Sequence, residues 1–416
     1  MRFSVQEVEV GPFLVDLTTG RVLRDGVELL LRPQAVRALK TLIENSGQYV
    51  DYERMISKAW DGIVVSRHTV DVTVGEVKKS LQEFGTWIVH RPKLGYRLEV
   101  PKSDDLVRRA QHFSNRRTRE GLEKAAECYR QAALEDGTDF RVYEGLCLSY
   151  LLLGTYGMRY PREMYPLFLD AHKRAVALTG LTPELRSHRA HGLHMFERKY
   201  VEAETEFVEI LQGKPSLTPT YVRLAILYGS NGQFDKAFAT LDRGEKVDAL
   251  WPLLPAARVS IHFLSHDYDS AIRCGKSALE LHPYIQIGRY YYAQALEFSG
   301  RPEEALEEYR VTRLLSPGLH FVACLEAACL AKIGADEESL ALVRRIEEIR
   351  AEDYVDAYYM AYVYEALKMR DKALAELGRA FDEGSVSLCI LDVDPKMDSM
   401  RRDPRFGRIR KKISEN

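Results

Sequence analysis

No membrane span is legible in this chain. No apolar run approaches the ~18 residues that a transmembrane helix needs. The longest candidate, Leu146 to Leu153, is interrupted by Cys147, Ser149 and Tyr150. The opening MRFSVQEVEV brings Glu7 and Glu9 before any apolar stretch, so no secretory signal is expected, and the default location is the cytoplasm. The six cysteines, Cys128, Cys147, Cys274, Cys324, Cys329 and Cys389, form no C-x-x-C pair. A disulfide framework and a structural zinc site are therefore both unsupported, and reduced, mostly buried thiols are expected. Gly-rich phosphate loops, a G-x-S-x-G elbow and an H-E-x-x-H helix are also missing. No catalytic constellation and no cofactor are expected. An excess of charge of one sign is missing too: the net charge is −2, and residues 1–103 hold 15 Lys/Arg against 13 Asp/Glu. A nucleic-acid function must therefore be argued from geometry rather than from bulk charge.

Hydrophobic residues make up 46% of the chain, enough for packed domains. The first 31 residues alternate like strands, as PFLVDL, GRVLRD and VELLL, separated by the turn signals Thr19-Gly20 and Asp25-Gly26. Helical spacing then takes over. Pro33 suits a first helical turn, and Val36, Leu39 and Ile43 share a face that ends before Gly47. Asp51 caps a short second helix carrying Met55, Ile56 and Trp60. Ser66 caps a third, whose Val70, Val74, Val77 and Leu81 are spaced to bury one face. WIVHR and YRLEV then form a hairpin around Pro92-Lys93-Leu94-Gly95. Strands, three helices and a terminal hairpin are the parts of a winged helix, with the third helix as the reading helix and the hairpin as the wing.

Residues 12–100 resemble the OmpR/PhoB-type effector domain. The resemblance rests on Trp60-Asp61-Gly62, Thr69-Val70-Asp71-Val72, Lys78-Lys79 with Leu81, and Gly95-Tyr96-Arg97. No receiver domain is read ahead of it, so no phosphorylation switch is expected. The resemblance implies a double-stranded DNA surface made by Trp60, Arg67, His68, Thr69, Val72, Thr73, Glu76, Lys78, Lys79, Arg91 and Lys93. It also implies that the third helix enters the major groove. The chain departs from the family at Gly75 and Glu76, where arginine is frequent. As an exposed carboxylate, Glu76 is expected to accept a hydrogen bond from a cytosine amine and to repel phosphate.

The rest of the chain has a second period. Ala203, Ala237, Ala271, Ala305, Ser339 and Ala373 recur every 34 residues. Gly232, Gly300 and Gly334 stand five residues before three of them, and Pro215, Pro283 and Pro317 twelve residues after three. This pattern resembles that of tetratricopeptide proteins, in which paired antiparallel helices stack into a superhelix. Ala125 with Tyr129 and Ala132, then Ala171 with Ala175 and Pro183, supply two earlier units, with a 12-residue insertion placed near 154–166. The expected fold class is thus mixed: an α+β winged helix followed by an all-α superhelix. The expected domains are 1–103, an array of about eight units over 104–387, and a basic cap over 388–416.

The concave face of such an array would present Phe263, Tyr290, Phe298, Tyr358 and Tyr362, a groove for a protein partner or a small ligand. RNA polymerase is a further possible partner; no membrane is expected, and the oligomeric state is not legible. His188, His191 and His194, and the pair His262 and His266, are read as packing residues rather than metal ligands, because no cysteine or carboxylate completes a set. Between Lys396 and Lys412 eight basic residues face two acids, read as a capping segment or an auxiliary DNA contact. Two functions stay open: a one-component transcription regulator that senses a signal through its repeats, or an interaction scaffold whose winged helix no longer binds DNA.

Overall fold

The computed structural model describes residues 7–10, 13–17, 19–24, 27–99 and 103–414. The turn residues Asp25-Gly26 and the linker residues Pro101-Lys102 lie outside them. The chain forms two compact units, residues 1–110 with 127–142 and residues 111–126 with 143–416.

In the first unit, β1 (Glu7–Val10), β2 (Phe13–Asp16), β3 (Val22–Arg24) and β4 (Val27–Glu28) make an antiparallel sheet in chain order. β1 is a strand that the alternation had not singled out; it pairs Val8 with Val15. Phe13, Val15 and Val22 point to one face and are buried against helix α1 (Pro33–Glu44), whose Ala35, Ala38, Leu39 and Leu42 close the same core. Proline at the first position of α1 gives up no hydrogen bond, since the first helical N–H groups have no partner inside the helix. Helix α2 (Tyr52–Ala59) begins on Asp51, whose side chain accepts from Arg54 N–H. Helix α3 (Arg67–Ser80) begins on Ser66, which accepts from Thr69 N–H at 3.2 Å. Its Val70, Val74 and Val77 are fully buried. β5 (Ile88–Arg91) and β6 (Gly95–Leu98) form the terminal hairpin.

The second region is helical. Its elements are α4 (Ser103–Ser114), α5 (Arg119–Glu135), α6 (Phe140–Thr155), α7 (Pro161–Thr179), α8 (Pro183–Met195), α9 (Tyr200–Gly213), α10 (Thr218–Ser230), α11 (Phe234–Val247), α12 (Leu253–Leu264), α13 (Tyr268–Leu281), α14 (Gln286–Phe298), α15 (Pro302–Leu315), α16 (Phe321–Lys332), α17 (Asp336–Glu352), α18 (Ala357–Ala366), α19 (Arg370–Glu383) and α20 (Pro404–Ser414). From α8 to α19 each odd helix packs on the even one before it, and successive pairs stack. The 34-residue phase marks where they meet. Ala203, Ala237, Ala271, Ala305, Ser339 and Ala373, one per pair, are all 0% exposed. Ser339 adds a hydrogen bond from its Oγ to the Ala327 carbonyl at 2.8 Å. A small side chain there lets two helix backbones approach; a larger one would overpack the contact.

The turn inside each pair needs one residue with positive φ, as at a helix C′ position. Glycine fills it at Gly232, Gly300 and Gly334, with φ of 72°, 86° and 81°. In the other three pairs Arg198, His266 and Lys368 occupy the same place with φ of 55°, 64° and 62°. A Cβ is disfavoured in that conformation. Lys368 is exposed and makes no ion pair among the described residues, so Lys368→Gly is expected to stabilise the protein by ~0.5–1 kcal/mol. An unchanged or lower denaturation midpoint would count against this.

The extra residues between the first two small positions do not form an inserted loop near 154–166. α6 and α7 are simply longer, at 16 and 19 residues, and only 156–160 separate them. Pro166 lies inside α7. The glycines and prolines of GTYGMRYPREMYP had suggested a break; Pro161 instead starts the helix at its first position.

The array also closes on itself. Arg119 of α5 forms an ion pair with Asp353, 234 residues away, which also takes a hydrogen bond from His320 Nε2 at 3.0 Å. Gly318 makes room for this: a Cβ there would lie 2.7 Å from Arg119 carbons. Finally, residues 385–403 form short 3-10 turns, Val386–Ile390, Pro395–Met397 and Met400–Arg402, that run across the inner side of the repeats. Val393 lies beside Gly232, Asp398 sits 3.8 Å from His266, and Lys396 reaches Gln294. We call this segment the strap. The basic cap expected over 388–416 is therefore corrected: only α20 caps, against α19, through Arg405–Asp371 at 2.6 Å and Lys412–Asp382 at 3.3 Å. The strap packs inside because its Val386, Leu388, Leu391, Met397 and Met400 are apolar and all 3% exposed or less.

Candidate functional site

Helix α3 turns one stripe outward. Arg67, Asp71, Gly75 and Lys79, spaced by four, are exposed, as are His68 and Val72 beside them. The wing is locked to this stripe by Asp71. Its Oδ1 accepts from Tyr52 OH at 2.7 Å and from Tyr96 OH of β6 at 2.6 Å. Burial opposes the charge on Asp71, but the two phenol donors outweigh it and hold the carboxyl below its ordinary range. Burial, with Asp71 adding to it, pushes the Tyr96 phenol well up, so it stays a donor. Tyr52 OH is also 3.1 Å from His90 Nε2, and the Arg67 guanidinium lies over the Tyr52 ring at 5.2 Å. Tyr52, Asp71, His90 and Tyr96 thus set the angle between helix and wing. Asp71 and Tyr96 stand inside two of the sequence motifs, but nothing in local spacing shows that they meet.

At the wing tip, Leu94 N–H donates to the Arg91 carbonyl at 3.1 Å, with Pro92 and Lys93 between them. Lys93 has φ 71°, the third position of a type II turn, which favours glycine. Gly95 follows with φ 94°, and a Cβ there would be 2.1 Å from the Val50 carbonyl oxygen. The backbone at the tip is thus constrained on both sides, and Arg91 and Lys93 both remain exposed.

Three expected contact residues are corrected. Trp60 is 9% exposed; it ends α2 and belongs to the core. Thr73 is 5% exposed, because it falls between Val70 and Val77 on the buried face, and its Oγ1 donates to the Thr69 carbonyl at 2.9 Å. Glu76 is no free base reader. It accepts from the Arg32 backbone N–H at 3.3 Å and from Arg32 Nε at 2.6 Å, tying α3 to the start of α1. Those Arg32 hydrogen bonds lower its pKa against a smaller opposing effect of burial. Thr69 is half-buried, 3.0 Å from the Ser66 hydroxyl, and Lys78 is half-buried. The expected contact residues left exposed are Arg67, His68, Val72 and Lys79 from α3 with Arg91 and Lys93 from the wing.

The aromatic groove of the array is corrected as well. Phe263, Tyr358 and Tyr362 are 2% exposed or less, and the strap covers two of them. Lys396 Nζ lies 5.1 Å over the Phe263 ring, and Tyr358 OH donates to Asp394 Oδ2 at 2.8 Å. Lys396 is itself buried, donating to Gln294 Oε1 at 2.6 Å and pairing with Asp394 at 2.9 Å. Burial lowers its pKa, with Asp394 opposing. Tyr362 OH donates to buried Glu297, which also accepts from Tyr309 OH at 2.7 Å and pairs with Lys332 at 2.9 Å. Phe298 is half-buried beneath Lys332 Nζ at 3.9 Å. Tyr290, half-buried, lines an internal cavity.

His188, His191 and His194 are buried on α8, with His194 Nε2 3.0 Å from Ser230 Oγ. Among the described residues no group of three or more His, Cys, Asp or Glu is placed to hold a metal ion. No disulfide joins any of the six cysteines among the described residues. No described helix is long and apolar enough to cross a membrane.

Comparison with known proteins bears on the two regions separately. Residues 26–98 match the family model "Transcriptional regulatory protein, C terminal". The chain is 31% identical over 98 residues to the transcriptional activator CadC of Escherichia coli K12; the match covers 23% of this chain and 19% of that protein. It thus spans about a fifth of the curated relative. The solved DNA-binding domain of E. coli CadC is 30% identical and covers 24% of this chain and 96% of that one, with a TM-score of 0.22. A human IFIT1 dimer solved with PPP-AAAA covers 84% of this chain and 90% of its own, with 13% identity and a TM-score of 0.51, a likeness of fold alone. The chain carries, over residues 26–98, a winged-helix domain of the C-terminal type of transcriptional regulatory proteins, followed by an array of tetratricopeptide-type helix pairs.

Proposed function

We propose that the chain is a one-component transcription regulator that binds promoter DNA through α3 and the wing and receives its signal through the array. The observation that carries the reading is the Asp71 lock. It holds the outward stripe of α3 beside the wing, so that Arg67, Lys79, Arg91 and Lys93 address one duplex together. With α3 in the major groove, Val72 is the side chain suited to a thymine methyl, and His68 to a base edge or phosphate. The cations at the two ends suit flanking phosphates, which position rather than specify. The likeness to the CadC DNA-binding domain supports the same use of this face. In this role the chain catalyses no reaction. The array takes the signal from a small ligand, a protein or RNA polymerase.

The test is fluorescence anisotropy of the full chain on pooled bacterial promoter duplexes across a salt series. Binding should weaken steeply with salt as counterions are released. Lys79→Ala should weaken all duplexes uniformly and flatten the salt slope by about one contact. Glu76→Ala should leave sequence preference intact, since its carboxylate is held by Arg32. Absence of binding even at low salt would favour the protein-interaction scaffold.

A further inference from the structure

The inner face of the array holds a cavity of about 170 Å³ that the strap helps to close. Val386, Ser387, Cys389 and Ile390 form one wall, and α6, α8, α10, α12 and α14 supply most of the others. Most of the lining is apolar or tyrosine, and no described Asp or Glu contributes to it. Two arginines do. Arg223 of α10 donates through Nη1 to Ser187 Oγ at 2.8 Å, and Arg117, between α4 and α5, donates to Tyr156 OH at 3.1 Å. Neither guanidinium has a carboxylate partner among the described residues, although nearly every other buried or half-buried arginine in the array has one. Arg117 has φ 50°, the same positive-φ turn position that Arg198, His266 and Lys368 fill in other pairs.

Two buried polar atoms on the same walls are unpartnered among the described residues: Thr155 Oγ1 and Nδ1 of His191, a residue 7% exposed. Burial, with Arg117 adding to it, brings Arg223 down to about 10, so it still carries its charge at neutral pH. Burial, with Arg223 adding to it, keeps His191 neutral. A cation held in an apolar cavity without a counter-charge is costly unless something supplies one. A second, more open cavity of about 570 Å³ shares Arg117, Tyr156, Leu253 and Ile287 with the first, and no described carboxylate lines it. It offers a way in. Trp251 Nε1, on its wall, is another buried donor without a partner among the described residues.

We propose that this cavity is the receiving site for a small organic acid: a carboxylate on an apolar body of roughly six to eight carbons. The carboxylate would lie between Arg117 and Arg223, within reach of Thr155 and His191. The body would lie against Val222, Ile226, Ala257 and Tyr290. The size follows from the volume, since an apolar cavity of about 150 Å³ takes a benzene ring. The specificity follows from the two guanidiniums without a described carboxylate partner, since a charge-assisted hydrogen bond is roughly twice as strong as a neutral one and a bidentate arginine–carboxylate pair adds geometric selectivity. This deepens the reading of the array as the receiving half, and its readout is independent of DNA.

The experiment is calorimetric titration and thermal unfolding of the full chain with hexanoate, benzoate and phenylacetate. Each acid is compared with its amide, and inorganic phosphate is run alongside. At least one acid should bind about tenfold or more tighter than its amide and raise the melting temperature. Arg223→Met should raise the melting temperature of the ligand-free protein and erase the preference for acid over amide. Arg117→Gln should reduce that preference. Equal binding of acid and amide, or binding of neither, overturns the proposal. So does a fall in ligand-free stability in Arg223→Met, which would make Arg223 a structural residue. Phosphate binding as tightly as the best acid overturns the apolar-body half of it. Anisotropy on promoter DNA, run on the same samples, separates failure here from failure of the regulator reading.

Discussion

Ending the chain at Gly384 is expected to unfold the array rather than to free a groove. The deletion removes Val386, Leu388, Cys389, Ile390, Leu391, Met397, Met400 and Phe406, each 8% exposed or less. At ~1.5–3 kcal/mol for each fully buried apolar side chain, the loss exceeds about 10 kcal/mol. That is as large as the whole stability of a typical domain, ~5–15 kcal/mol. It also strips Asp394 from Tyr358 and Lys396 from Gln294. The shortened protein should lose its cooperative thermal transition and bind a hydrophobic dye while keeping helical circular dichroism. A retained midpoint, with new affinity for peptides, would instead make the strap a removable plug.

The second large effect is expected at Asp353. Burial acts against its charge, but Arg119 and His320 outweigh it and bring its pKa down to about 2. Because the folded value lies below the unfolded one, its contribution is complete above about pH 4 and is lost as pH falls through about 2. The shift corresponds to about 2 kcal/mol. Its side chain is partly exposed, so solvent screening reduces this to about 1–2 kcal/mol. Asp353→Asn should therefore lower stability by about that amount at pH 7, and the gap to the parent protein should narrow as pH drops from 4 toward 2. Urea unfolding across that range checks it. A gap that stays constant with pH would mean that packing at Gly318, not the charge, joins the two ends.

The parts of the fold that were legible in the sequence are those written in local spacing. Val70, Val74 and Val77 announce the buried face of α3, Asp51 and Ser66 announce two helix starts, and six small residues 34 apart announce the pair contacts. Function was less legible, for physical reasons. Thr73 shares the valine face, and its polarity hid that. Glu76 looked like an exposed carboxylate because its partner, Arg32, lies 44 residues earlier on another element. The aromatic groove read as a surface because nothing in local periodicity shows that a nonperiodic segment at 385–403 returns to cover it. The two cavity arginines are invisible in sequence for a similar reason: what distinguishes them is that no described acid pairs with them in space.

The strap also sets a schedule for making the protein. A ribosome adds ~5–20 residues per second, and domains fold as they emerge. The helix-and-wing hairpin is complete once β6 at Leu98 is out, yet the repeats wait for Val386 and the turns that follow it. Those points are separated by enough chain to take roughly 15–60 s to translate. Throughout that interval the inner aromatics and the arginine-lined cavity lack one wall. The winged helix is therefore finished well before the array, and a transcript cut short within the repeats would yield the first without the second.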